Sequence, residues 1–240
     1  MSMQRRARIL ALLASDGGSQ LGTKRLCQVA ASATRLTGAG IMLVSDGGPR
    51  GSLCTTDDVS SLIEQLQYTL GEGPCIDAYR EDRAVVEPDL AAPEVYRWPA
   101  FSAPAVESGV RAVFGFPIRV GAVRLGALNL YRDRPGPLTA GQHADSLVTA
   151  MIVAEAILAL QADAELGQIA QTLEVDSDFH YVVHQASGMV AVQLAISVEE
   201  ALIRLRAYAF SSERTLADVA RAVVERLLRF DRSSGPGRSS

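Results

Sequence analysis

Arg204, Tyr208 and Ser211, in the C-terminal part of the chain, have the side chains and the spacing to meet nucleic acid together. At about 100° per residue they fall on one flank of an apolar helical stripe, and Arg206 lies on the other flank. A guanidinium binds phosphate or stacks, a phenol ring stacks, and a hydroxyl meets a phosphate oxygen or a 2′-OH. The bland alternative is that Tyr208 packs at the edge of a helix bundle while the arginines are solvated or pair with Glu200. From these residues alone that alternative carries more weight. Upstream, Ala186-Ser187-Gly188 sits mid-helix, where glycine costs roughly 0.5–1 kcal/mol relative to alanine. Small residues there let either a second helix or RNA approach the backbone.

Other chemistry finds little support. Lys24 is the only lysine, and no GK[ST] motif exists to grip a nucleotide phosphate. Kinase signatures and lysine Schiff-base chemistry lack candidates beyond it. Cys27, Cys54 and Cys75 are far apart and lack CxxC spacing, so no zinc site or disulfide framework follows, and a reducing cytoplasm is the natural setting. His180 and His184 are four apart without a third ligand, so neither metal nor haem is expected. Asp57-Asp58 and Glu81-Asp82 read as solvated helix-start or loop acids. With no nucleophile–base pair, the chain is expected not to be an enzyme, and no cofactor is implied.

These side chains need a scaffold, and 240 residues suit one large domain or two small ones. Hydrophobic residues make up 48% and charged ones 21%, a globular balance. The net charge of −4 announces no polyanion partner, but it is unevenly placed. Residues 180–240 hold eight arginines against six acids, whereas residues 1–179 hold fifteen basic residues against twenty-one acids. Any nucleic-acid contact therefore belongs to the C-terminal part. The apolar run Ile9–Ala14 is too short for a signal-peptide core and reads as a frayed tail or the start of the first helix. No stretch is expected to approach the ~20 apolar residues of a membrane span, so no membrane partner is expected.

Helical spacing runs from Leu21 to Leu36. A strand, 39–44, then turns at 45–49 towards a pairing arm at Gly51–Cys54. Residues 57–70 read as a helix and Leu70–Cys75 as a Gly/Pro loop. A short strand at 84–86 and a helix at 98–107 follow. The clearest β signal is a long hairpin, 113–120 and 123–131, around Gly121. Leu138-Thr139 opens a long helix whose seam is Leu147, Ala150, Met151, Ala154, Ile157 and Leu158. It suits dimerisation or packing on its own sheet. After the acidic break Glu174–Asp178, three amphipathic helices form a small bundle. Ser197–Glu200 is a capping box, and Thr215–Asp218 repeats the device. Val198 and Leu227 are expected to point inward, and residues 231–240 to be a disordered tail.

Three blocks then carry a resemblance: His184–Val190, Glu200–Ala209 and Arg214–Ala220. Together they resemble the ANTAR module of bacterial antitermination regulators, although Ser187 stands where many such modules have lysine. With Leu70–Cys75, Arg97–Phe101 and Leu125–Pro137 included, the chain resembles actinobacterial-type GAF–ANTAR proteins. The resemblance implies an α+β GAF-like domain, its antiparallel sheet flanked by helices, followed by an all-α three-helix bundle. The segments expected are a tail over 1–20, a GAF-like sensor over 21–138, a linker or dimerisation helix over 139–176, the RNA-binding module over 177–230 and a tail over 231–240.

The implied function is transcription antitermination by a homodimer binding paired RNA stem-loops. That shifts the balance on Arg204 and Tyr208 towards RNA. The expected RNA-binding residues are Ala186, Ser187, Gly188, Arg204, Arg206, Tyr208, Ser211, Arg214 and Thr215. Gly73, Cys75, Trp98 and Phe114 are the candidates to line a site for an unknown small ligand, although for Cys75 a buried structural thiol is the stronger reading. Two other functions compete: a sensor acting through protein partners, and a helix-turn-helix-like DNA binder.

Overall fold

In a computed structural model, residues 2–14, 22–45, 48–163, 178–212 and 214–231 are described. The chain divides into two units, Met1–Ile169 and Ala170–Ser240.

In the first unit, five strands form one sheet of order β2-β1-β5-β4-β3 with every pairing antiparallel. The strands are β1 (Gly38–Ser45), β2 (Gly48–Thr55), β3 (Val85–Glu87), β4 (Ala112–Val120) and β5 (Val123–Arg132). The expected long hairpin is β4–β5, which turns at Gly121 with φ 59°. Alternation along the strands divides the core in two. Ile41, Phe114, Phe116, Leu128 and Leu130 face α2 (Thr23–Thr34) and α6 (Ala140–Asp163). Met42, Val85, Val113 and Ala127 face α3 (Asp58–Leu70), α4 (Pro74–Glu81) and α5 (Pro99–Glu107).

Capping fixes where these helices start. Asp57 accepts from the Ser60 N–H at 2.8 Å, and the Ser60 hydroxyl oxygen accepts from the Asp57 N–H at 3.0 Å. Gly71 closes α3 in the left-handed region, and Gly73, at φ 131°, turns the chain into Pro74. The segment expected as a loop through Cys75 therefore ends early, since Pro74 and Cys75 are the first turn of α4. An eight-residue helix with proline at its first position offers too little periodicity to be seen from sequence.

Two further expectations change. Within residues 1–20, expected as a tail, Ser2–Ala14 form α1. Ile9 is buried against Val29, Ala33 and Ile152. Arg5 and Arg8 both reach Asp145, at 2.8 and 2.9 Å, and Arg6 meets Glu155 at 2.6 Å. Partners more than 130 residues away leave no local trace. The long helix is also more than a linker. Ala150, Val153, Ala154 and Ile157 of α6 belong to the sheet core, while Leu147, Met151 and Leu158 remain exposed. Its Ala140–Leu160 stretch has the length and apolarity of a membrane span, but its inner side is built into this core.

Cysteine pairing corrects the sequence reading outright. Cys27 on α2 and Cys54 on β2 are joined by a disulfide within the sheet core. Cys75 is free and buried on the other face.

The second unit contains α7 (Asp178–Leu194), α8 (Val198–Ser211) and α9 (Leu216–Val224), which pack on one another. Val183, Ala186, Val190, Ala201, Leu205, Leu216, Val219 and Val223 fill the interior. Ser197 and Glu200 make the reciprocal box at α8. At α9 only half of it forms: Thr215 Oγ1 accepts from the Asp218 N–H at 3.1 Å, while the Asp218 carboxylate turns to the Thr215 hydroxyl. Val198 and Leu227 are exposed, not inward. Val198 opens α8 before its buried stripe begins. α9 stops at Val224, and Arg226 adopts a left-handed conformation that swings Leu227 outward. Phe230 still returns to the bundle, donating its N–H to Gln193 Oε1 at 2.9 Å. The acidic break, apart from Asp178, and the tail beyond Asp231 lie outside the described residues.

Candidate nucleic-acid interface

The outward side of α8 carries Ile203, Arg204, Ala207, Phe210 and Ser211. Among the described residues Arg204 has no ion-pair partner. Glu200, the acid that could have paired with it, is held as a cap by the Ser197 N–H at 3.1 Å. Ser211 is exposed and donates its hydroxyl to the Tyr208 carbonyl at 3.1 Å, leaving its lone pairs outward. Arg206 is half-buried on the opposite flank. Tyr208 is also half-buried, its ring 5.3 Å from Phe230 at 63°, an edge-on contact that anchors one side of the phenol in the bundle. Tyr208 is thus both a bundle-edge residue and a partly presented ring.

Arg214 is exposed in the connection after α8 and reaches the Asp218 carbonyl at 3.2 Å. The Thr215 hydroxyl is committed to Asp218. The Ala186–Gly188 trio divides. Ala186 and Ser187 are buried, and Ser187 donates to the Val183 carbonyl at 2.8 Å. Their smallness serves helix packing. Gly188 differs, since a Cβ there would meet nothing within 4 Å.

The sequence reading missed Phe210, which is 78% exposed on α8 between Arg206 and Arg214. A helical wheel carries the signal, because 210 falls opposite the buried stripe of Ala201, Leu205 and Ala209.

In the first unit, the four candidate ligand-lining residues do not converge. Phe114 faces α2 and α6, whereas Cys75 and Trp98 face the opposite side of the sheet. Register on β4 sets the face that Phe114 takes, and helix docking sets the face of Cys75 on α4 and of Trp98 at the start of α5; sequence proximity to a motif could reveal neither. Trp98 is a packing residue: its Nε1–H donates to Asp77 Oδ2 at 2.8 Å, and the Arg97 guanidinium lies 4.8 Å over its ring. The Cys75 N–H donates to Gln67 Oε1 at 2.7 Å, and burial pushes its thiol well above the usual range. A Cβ at Gly73 would fall 2.6 Å from the Gln67 side chain.

Unmet polar capacity lies elsewhere on that face. Glu64, 2% exposed, has no hydrogen-bond partner at either carboxyl oxygen, and buried Asn129 has none at either amide atom. Burial raises the Glu64 carboxyl to about 8, with Asn129 standing close enough to offset part of that rise. Among the described residues no group of three or more His, Cys, Asp or Glu is placed to hold a metal.

Among the described residues, a five-stranded antiparallel sheet between two helical layers is followed in sequence by a unit of three helices. Residues 23–157 match the GAF domain family and residues 171–224 the ANTAR domain family. With more than half its length matched, the chain belongs to the GAF domain family, and an ANTAR domain follows; both are regulatory families, not catalytic ones. No curated protein sequence matches the chain. Its fold is similar to the GAF domain of an Acinetobacter phosphoenolpyruvate-protein phosphotransferase, with TM-score 0.51, 13% identity, and 68% of this chain and 96% of that one covered. The GAF domain of the Coxiella burnetii phosphoenolpyruvate-protein phosphotransferase gives TM-score 0.50, 15% identity, and 67% and 95% coverage. At such identities these likenesses speak for the fold alone.

Proposed function

We propose that the chain is a transcription antitermination regulator of the actinobacterial GAF–ANTAR type, working in the cytoplasm as a homodimer. Its C-terminal bundle binds paired stem-loops of a nascent transcript, and its GAF domain supplies the control. The ANTAR match over 171–224 carries this reading. The outward face of α8 supports it, because Arg204, Ser211 and Arg214 are exposed beside a partly presented Tyr208. Arg206, on the other flank of α8, and Gly188 on α7 belong to the same proposal. In this reading the protein is not an enzyme.

Gel shifts with a two-hairpin RNA, with duplex DNA and without nucleic acid test it. A retained complex with the RNA alone is the expected result, and preference for duplex DNA would replace it with a helix-turn-helix reading. A second reading, docking on a protein partner, is favoured by one observation: Ile203 and Phe210 are exposed on α8. Failure to bind either nucleic acid would bring that reading forward. The exposed Leu147, Met151 and Leu158 on α6 supply the apolar surface for a second copy. Light scattering that finds only a 25.5 kDa species, with and without RNA, removes the dimer.

A further inference from the structure

Cys27 and Cys54, 27 residues apart, are tied together in one half of the core. Cys75 lies in the other half, its thiol pushed up by burial, so it is a poor nucleophile for exchange with that bond. We propose that the Cys27–Cys54 bond is a reversible redox clamp, and that its state is the signal through which the GAF domain controls RNA binding. This rests on the antiterminator reading above.

Three observations support it. A protein acting on nascent transcripts works in a reducing compartment, where mesophile disulfides are usually transient, catalytic or redox-sensing and seldom static. The bond is also held by a weak partner. β2 is an edge strand bonded only to β1, and its register shifts twice, between Ile41/Met42 and between Leu43/Val44. Cys54, 4% exposed, becomes reachable when that edge lifts. Finally, Cys27 shares its core cluster with Ala150, Ala154 and Ile157 of α6. That helix runs in sequence towards the ANTAR domain, so the clamp acts on an element that can bias the output.

The exchange balances with a cellular dithiol as reductant. One of its thiolates attacks the Cys54 sulfur, and the Cys27 thiolate leaves and takes a proton. The second thiol of the dithiol then displaces Cys54, which is protonated in turn, and the dithiol becomes a disulfide. Two electrons and two protons pass to the protein.

The full chain, incubated with dithiothreitol or with glutathione disulfide, is alkylated after denaturation and weighed intact. Affinity for the two-hairpin RNA and hydrogen exchange over β2, α2 and α6 are measured on both forms. The expected result is three alkylated cysteines after reduction and one after oxidation, an affinity change of tenfold or more, and faster exchange in β2 and α6 when reduced. Cys27→Ser and Cys54→Ser should each abolish the difference, while Cys75→Ala should keep it. A bond that survives the reductant in the folded protein, one that never forms under glutathione disulfide, or equal RNA affinity in both forms overturns the proposal. If neither form binds RNA, the antiterminator reading fails by itself. The clamp is then judged on exchange in α6, where no change between the two forms would overturn it.

Discussion

Glu72 caps the helix that contains Phe101. Its Oε1 accepts from the backbone N–H groups of Ala100 and Phe101, at 2.8 and 2.9 Å. These are donors of the first turn of α5, where Trp98 occupies the cap position and offers no side-chain acceptor. One carboxylate thereby joins the segment Leu70–Cys75 to Arg97–Phe101.

Glu72→Ala should leave those two N–H groups without their acceptor and lower stability by roughly 1–2 kcal/mol, the range of a lost cap. Glu72→Gln keeps an acceptor and should recover most of it. Urea denaturation of the three proteins checks this, and an alanine variant as stable as the parent would show that water replaces the cap.

The α8 face gives a graded set of RNA effects. Phe210→Ala should weaken RNA binding by the roughly 1–3 kcal/mol of a stacked base, about five- to hundred-fold, with stability unchanged. Tyr208→Ala should lose both binding and stability, because its ring also packs on Phe230. Tyr208→Phe should retain both. Arg204→Ala should flatten the salt dependence of log K by about 0.7 if it contacts a single-stranded phosphate. Arg221, paired with Asp218 on α9, is the control. Anisotropy titrations at several salt concentrations separate these outcomes. Parent-like binding by folded Phe210→Ala and Arg204→Ala proteins would move the RNA surface away from α8.

Glu64 should make stability depend on pH in an unusual direction. Its carboxyl is raised by burial to about 8 from an ordinary 4.5, so between those values the folded state holds a proton that the unfolded state has released. Stability therefore falls as pH rises through that window and levels off above it, with a total loss on the order of 5 kcal/mol. Glu64→Gln, which mimics the protonated acid, should be the more stable protein at pH 8 and similar to the parent at pH 4.5. Thermal melts across pH 4.5–8.5 test this, and parallel curves for the two proteins would mean that Glu64 is ionised inside the fold.

The N-terminal helix should be held by burial more than by charge. Ile9→Ala opens a gap against Val29, Ala33 and Ile152 and should cost about 2 kcal/mol, the lower end for an isoleucine truncated in a core. Arg6→Ala, whose pair with Glu155 stands in solvent, should be close to neutral. Denaturation midpoints rank the two, and the reverse order would make α1 an electrostatic attachment.

Much of the scaffold is written locally. The β4–β5 hairpin, the stripes of α3 and α8 and the Ser197–Glu200 box follow from periodicity and from hydrogen bonds that close within a few residues, so the sequence by itself determined them. The order of a GAF domain followed by an ANTAR domain was legible by another route, the resemblance of motif blocks to a known family. Tertiary structure alone decided the rest. Cys27 finds Cys54 only when α2 lies over the sheet beside its edge strand. Arg5 and Arg8 find Asp145 across more than 130 residues. Phe114 and Trp98 part company because Phe114 points to one face of β4, while α5, which Trp98 starts, is docked on the other. Ser187 turns inward and Phe210 outward because the packing of three helices chooses which part of each surface is covered. Local rules set what each segment becomes; which side chains meet depends on sheet register and helix docking, and those exist only once distant segments have come together.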